Sequence, residues 1–142
     1  MGLFVPLNIG GVTVGLFGLR GGCYVQHADK AIMLQLEMGI AGVRRRIPLV
    51  RLDWRPLSDR HKNPRKGPAE HRSRVLFGSH HHTFDLNWLE AEQRMREHNL
   101  PFAVPLENEP ASFAEMLDLA RVLFRINDID RLPLPEWTLK LI

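Results

Sequence analysis

Apolar side chains occupy every second position along much of the first half of the chain. Stretches 12–17, 31–38 and 50–54 follow this period, which places their apolar residues on one face of an extended backbone. The turn sequence "NIGG" joins the first of them to residues 3–9 as a hairpin. We therefore predict an antiparallel N-terminal meander, and the alternation in 137–141 predicts a further strand at the C-terminus.

The second half of the chain changes to the helical period. Ser112 and Glu115 form a capping box before an apolar stripe that runs to Ile126, and Asn87 with Glu90 predicts an earlier helix that ends near residue 98. The expected fold class is α+β, a mostly antiparallel sheet with two helices packed on one face. A length of 142 residues favours a single domain over 1–142.

Positive charge is concentrated in the middle of the chain. Residues 44–74 hold eleven Lys and Arg against three acids, a local charge of +8, whereas residues 75–142 carry six bases and eleven acids, or −5. Within this region, residues 56–73 contain three prolines and hardly an apolar side chain. We expect an exposed, mobile basic loop there.

The composition excludes several classes of protein. Cys23 is the single cysteine, so neither an intrachain disulfide nor a cysteine-based zinc cluster can form. The uncharged residues 1–19 contain internal glycines and a proline, and we interpret them as buried strand instead of signal peptide or membrane span. We expect a cytoplasmic protein with no membrane partner. Since no nucleotide-binding or hydrolase motif is present, no cofactor is expected.

Three adjacent histidines lie between a predicted strand and a predicted helix, in "FGSHHHTFD". On an extended backbone His80 and His82 project to one side and His81 to the other. With His71 or His61 from the basic loop, and Asp85 as an oxygen ligand, such a set would accept zinc, nickel or copper. The spacing matches no established metal motif, so metal binding is the third interpretation and no metal ligands are assigned.

Metal-independent cleavage of RNA is the leading interpretation. Histidine supplies a base and an acid near neutral pH, and arginine contacts phosphate. Histidines beside an arginine-rich strand in a small basic chain are similar, at the level of the fold alone, to ribonuclease toxins. The candidate catalytic residues are His80, His82, His71, Arg72 and Arg74.

The basic region itself predicts contact with the phosphate backbone of RNA or DNA, because clustered cations release counterions when they neutralise phosphates. No sequence-reading motif is present. The candidate binding residues are Arg51, Arg55, Arg60, Lys62, Arg65 and Lys66.

The basic region and the histidines are also compatible with a protein that is not an enzyme. In that alternative the basic loop binds an acidic protein partner and the histidines are structural. A further account is that the cations form only a solvated face, partly neutralised by the acidic second half of the chain. The sequence leaves open whether the chain is an enzyme, and it predicts no oligomeric state.

Overall fold

The computed structural model describes residues 1–27, 29–58 and 60–136 and has the predicted α+β architecture. The two helices are α1 (Phe84–Arg96) and α2 (Phe113–Phe124), and a short 3-10 turn follows at Ile129–Arg131. The strands are β1 (Gly2–Ile9), β2 (Val12–Gly22), β3 (Ile32–Ile40), β4 (Val43–Trp54), β5 (His61–Lys62), β6 (Val75–Leu76), β7 (His80–His82) and β8 (Val104–Pro105).

Six strands form one antiparallel sheet in the order β1-β2-β3-β4-β7-β8. The N-terminal meander is confirmed, and residues 2–9 and 12–19 lie in β1 and β2. The expectation that residues 1–19 form buried strand was wrong, because most of their side chains are exposed at the edge of the sheet. Strand β2 is longer than predicted, because the glycine-rich residues 19–22 continue the strand and pair with β1 and β3. The short ribbon β5–β6 lies inside the basic region and forms a separate sheet.

Both helices pack against the same face of the meander. Helix α2 covers the buried side of β3 and β4, and α1 adds the fully buried Met95, which contacts Ile47 and Met38 further along that side. Burial of these side chains removes apolar area from water and holds the helices on the sheet. The main core contains Leu19, Ile32, Leu34, Leu52, Trp54, Met116, Leu117, Ala120, Phe124 and Ile129.

The start of α1 differs from the prediction. The helix begins at Phe84, after Thr83, so Asn87 lies within the helix instead of capping it. Asn87 is fully buried, accepts a hydrogen bond from Phe102 N and donates one to Phe102 O. The prediction was wrong because an asparagine that satisfies a neighbouring segment has the same local pattern as an N-cap.

The start of α2 is confirmed. Ser112 Oγ accepts a hydrogen bond from Glu115 N, and Glu115 Oε2 accepts one from Ala111 N. The helix ends at Phe124, two residues before the predicted end, where Arg125 adopts the left-handed conformation. Among the described residues no helix is long and apolar enough to cross a membrane. The strand predicted at 137–141 lies outside the described residues.

Candidate functional site

Three histidines converge on the sheet face opposite the helices. His61, His80 and His82 each present one ring nitrogen, and these atoms all lie within 4.8 Å of one another. The ring centroids are 5.2 Å apart for His61 and His80, 5.0 Å for His61 and His82, and 5.4 Å for His80 and His82. We call these three residues the histidine cluster.

Strand pairing adds two charged residues to the cluster. Strand β7 is antiparallel to β4, with His82 opposite Arg51 and His80 opposite Asp53. Directly opposed side chains of a pair of strands point to the same face. The side chains of these two residue pairs therefore lie together on one side of the sheet.

The Asp53 carboxylate lies between the two strand histidines. Its Oδ2 atom is 3.3 Å from His82 Nε2 and 3.6 Å from His80 Nε2. Arg51 Nε donates a 2.6 Å hydrogen bond to the same oxygen, and Arg51 Nη2 lies 2.8 Å from His82 Nε2. One guanidinium thus contacts both the Asp53 carboxylate and the His82 ring.

Hydrogen bonding fixes the protons of the histidines. His80 Nδ1 donates to Gly78 O at 2.8 Å, and His61 Nε2 donates to Pro101 O at 3.1 Å, so each neutral ring keeps a lone pair on its other nitrogen. In His82 the contact with the Arg51 donor assigns the lone pair to Nε2, and Nδ1 is buried without a hydrogen-bond partner. The Nε2 atoms of His80 and His82 both face the Asp53 carboxylate.

The basic segment brings His61 to the cluster through the buried Asn63. Asn63 Nδ2 donates to His71 O and to Ala103 O, and Asn63 Oδ1 accepts from Ala103 N. These bonds fasten β5 to the residues that precede β8. The segment is therefore more structured than its composition suggested.

Burial and local charge set the protonation of the cluster. Burial lowers the pKa of His82 to about 4, with a further lowering by Arg51 and an opposing contribution from Asp53. Burial also lowers the pKa of His61. Although burial of the carboxyl acts to raise it, the contacts of the carboxylate with His82 and Arg51 hold the pKa of Asp53 below its usual range. His82 is neutral at physiological pH.

His81 points to the other side, as predicted. It lines a cavity of about 400 Å³ together with Phe84, Asp85, Leu123 and Arg125, on the face that carries the helices. Asp85, considered as an oxygen ligand from the sequence, therefore lies with His81, and Asp53 takes the place beside His80 and His82.

The remaining predicted catalytic residues lie outside the cluster. His71 is on the same segment, but its Nε2 is 4.0 Å from Glu70, and Arg72 and Arg74 are exposed. No contact joins these three residues to the histidine cluster within the described ranges. Their catalytic role stays a prediction, and Arg51 is the arginine that contacts the cluster.

The predicted nucleic-acid-binding residues divide into two groups. Arg51 pairs with Asp53, while Arg55 lies 3.6 Å from Glu109, donates to the carbonyls of Pro110 and Ala111, and lies over the Trp54 ring. The other four are exposed and form no ion pair with a described carboxylate: Arg60, Lys62, Arg65 and Lys66.

No protein-family model, curated protein or solved structure matches this chain. The assignment of function therefore depends on the geometry of the cluster and its surroundings.

Proposed function

We propose that this protein is a metalloprotein in which the histidine cluster and Asp53 bind one divalent transition-metal ion of the zinc class. The observation that carries the proposal is the convergence of the His80 and His82 Nε2 atoms on Asp53 Oδ2, at 3.6 and 3.3 Å. Metal bonds of about 2.0–2.1 Å in a tetrahedral site place ligand atoms about 3.3 Å apart, which fits this spacing.

Two further features support a metal ligand set. His80 and His61 each donate one ring N–H to a backbone carbonyl, the arrangement that fixes a histidine for coordination through its other nitrogen. A pKa of about 4 keeps His82 free of a competing proton at neutral pH. The same low pKa is poorly matched to acid–base catalysis near pH 7.

Loading of the ion requires Arg51 to move. Its side chain is 29% exposed and lies at the edge of the cluster, so the guanidinium has solvent to move into. With the guanidinium displaced, the histidine cluster and Asp53 would hold the ion, which would supply a Lewis acid for hydrolysis. The chemistry we propose is metal-assisted hydrolysis.

Zinc retention tests the proposal. After dialysis against micromolar zinc and removal of free metal, we expect one zinc ion per chain by elemental analysis, and visible d–d absorption on substitution with cobalt. The half-buried His61 is the residue to change, because His61→Ala removes a ligand without opening the core. That variant is expected to retain less than a tenth of an equivalent.

A run of histidines also binds metal without a built site, and the chain offers a control for this. His81 belongs to the run but points to the other face, and His71 belongs to the segment but not to the cluster. His81→Ala and His71→Ala are expected to keep the full equivalent. Equal loss in His81→Ala and His61→Ala, or an empty wild-type protein, would contradict the proposal.

Metal-free cleavage of RNA is the second candidate, and the position of Arg51 favours it. A guanidinium 2.8 Å from His82 Nε2 already occupies the place where a phosphate would be contacted. In that case His80 and His61 exchange protons with the 2′-hydroxyl and the leaving oxygen, and Arg51 stabilises the phosphorane. RNA cleavage in EDTA that is lost in His61→Ala would favour this candidate, and intact RNA would exclude it.

A further inference from the structure

Six cations on the segment 60–74 have no described counterion. The segment holds six Lys and Arg and one acid, Glu70, a net charge of +5. All six are exposed, and none lies within ion-pair distance of a carboxylate in the described ranges. The unpaired cations of this segment are Arg60, Lys62, Arg65, Lys66, Arg72 and Arg74.

We propose that the outer surface of segment 60–74, together with Phe77, binds a single strand of nucleic acid. Such a strand has a phosphate at each step, and clustered cations bind it by releasing counterions. Delivery of this strand to the histidine cluster as a substrate rests on the proposed function. Binding of the strand to this surface is independent of the proposed function.

The cations are held by a folded segment. Ser73 N donates to Pro64 O at 2.7 Å, Asn63 N donates to Arg74 O at 2.9 Å, and the β5–β6 ribbon closes the base of the segment. The inward side chains of His61 and Asn63 leave the outer surface to the cations. Preorganisation of this kind lowers the ordering cost of binding.

Phe77 distinguishes nucleic acid from an acidic protein. It follows β6 directly, three residues after Arg74, and its side chain is 71% exposed. An exposed ring beside a cationic surface is the arrangement on which an unpaired base stacks, and such stacking does not depend on sequence. An acidic peptide would use the charges but has no base to place on the ring.

The test measures binding of a fluorescent single-stranded oligonucleotide across a range of salt, in EDTA so that no metal takes part. If all six cations contact phosphate, the slope of log K against log salt is about −4. The triple variant Arg65→Gln, Lys66→Gln, Arg72→Gln is expected to reduce the slope to about −2.

A matched triple variant controls for net charge. Arg96, Arg121 and Arg131 are exposed, and each pairs with an acid of its own element or its cap. Their simultaneous change to Gln removes the same charge and is expected to leave the slope unchanged. Equal weakening in the two triple variants would overturn the proposal.

Three further measurements complete the test. Phe77→Ala is expected to weaken single-strand binding about tenfold at an unchanged salt slope. Poly-glutamate and unlabelled oligonucleotide are then compared as competitors at equal charge. If poly-glutamate displaces the labelled strand as effectively, the surface is assigned to an acidic protein and the proposal is overturned. His61→Ala is expected to bind the strand normally, so failure of the metal site and failure of this surface are distinguishable.

Discussion

Asn63 is a polar residue in the middle of the basic segment, yet only 1% of it is exposed. Its side-chain amide forms hydrogen bonds with three backbone groups, which are the carbonyl of His71 and both the carbonyl and the N–H of Ala103. A buried amide with these partners fixes the segment against the protein body, because leaving them unpaired costs more than the bonds contribute. Asn63 is therefore the positioning residue for His61.

Replacement of Asn63 by Ala tests this role. We expect a loss of about 3 kcal/mol in the free energy of unfolding, because three buried backbone groups lose their partners. The measurement is urea denaturation. The exposed Asn99 supplies the control, since Asn99→Ala is expected to change stability by less than about 0.5 kcal/mol. Equal effects of the two changes would contradict the assignment.

His82 makes the metal-free protein sensitive to mild acid. In the unfolded chain its pKa is near the ordinary histidine value of 6.5, and in the folded protein it is about 4. Above about pH 6.5 the His82 ring is unprotonated in both states, and its contribution to the free energy of unfolding is fully present. As the pH falls towards 4 the unfolded state gains a proton that the folded state does not, so stability decreases by about 3 kcal/mol. Burial of His61 and His81 acts in the same direction.

Two measurements check this pH dependence. Urea denaturation in EDTA at pH 7.5 and at pH 5 should give the lower free energy of unfolding at pH 5. Direct titration of the His82 ring by NMR should show a neutral imidazole at pH 5. A midpoint above pH 6 would contradict the burial argument.

The two helices begin in different ways, which leads to a prediction about their caps. Ser112 caps α2 with a side-chain hydrogen bond, whereas Thr83 precedes α1 without one. Ser112→Ala is therefore expected to cost about 1 kcal/mol, and Thr83→Ala less than half of that. Thermal or urea unfolding of the two single variants measures the difference. A larger loss of stability in Thr83→Ala than in Ser112→Ala would show that packing of the Thr83 side chain stabilises α1 without a cap hydrogen bond.

The strands were predictable from the sequence because their side-chain period is local. Alternation in 31–38 gave β3 and its buried face, and the same rule correctly placed His80 and His82 together and His81 apart. The rule needs no knowledge of distant residues. It works wherever one face of a strand is buried and the other is not.

The rest of the site depends on long-range pairing. Asp53 was visible as part of a charged alternation in β4, but its place beside His80 follows from the β4–β7 register, which no local pattern specifies. The choice of His61 over His71 depends on the burial of Asn63. An asparagine among prolines and lysines has the pattern of a loop, so the sequence carries no signal for that burial.

The two faces of the sheet carry different groups of residues. One face carries both helices and the main apolar core, and the other carries Asp53 and the histidine cluster beneath the folded basic segment. Cluster residues come from β7 and from β5, which belong to different sheets. An ion held by all three histidines would therefore link the β5–β6 ribbon to the main sheet.

This linkage predicts that zinc stabilises the whole fold. A ligand that binds only the folded state adds about 2.7 kcal/mol at a hundred times its dissociation constant. For a chain of this length that corresponds to a rise of about 5–10 °C in Tm. Calorimetry with and without zinc measures it, with the free metal concentration fixed by a buffer.

Variants of the histidines show whether the rise comes from the cluster. His81→Ala leaves the ligand set intact, so its Tm should rise with zinc as the wild type does. His61→Ala removes the one ligand that the ribbon contributes, and its Tm should stay within about 1 °C on addition of zinc, because binding to His80, His82 and Asp53 alone is weaker. A full rise in His61→Ala would mean that the ion does not join the two sheets, and the ribbon would then have no part in the metal centre.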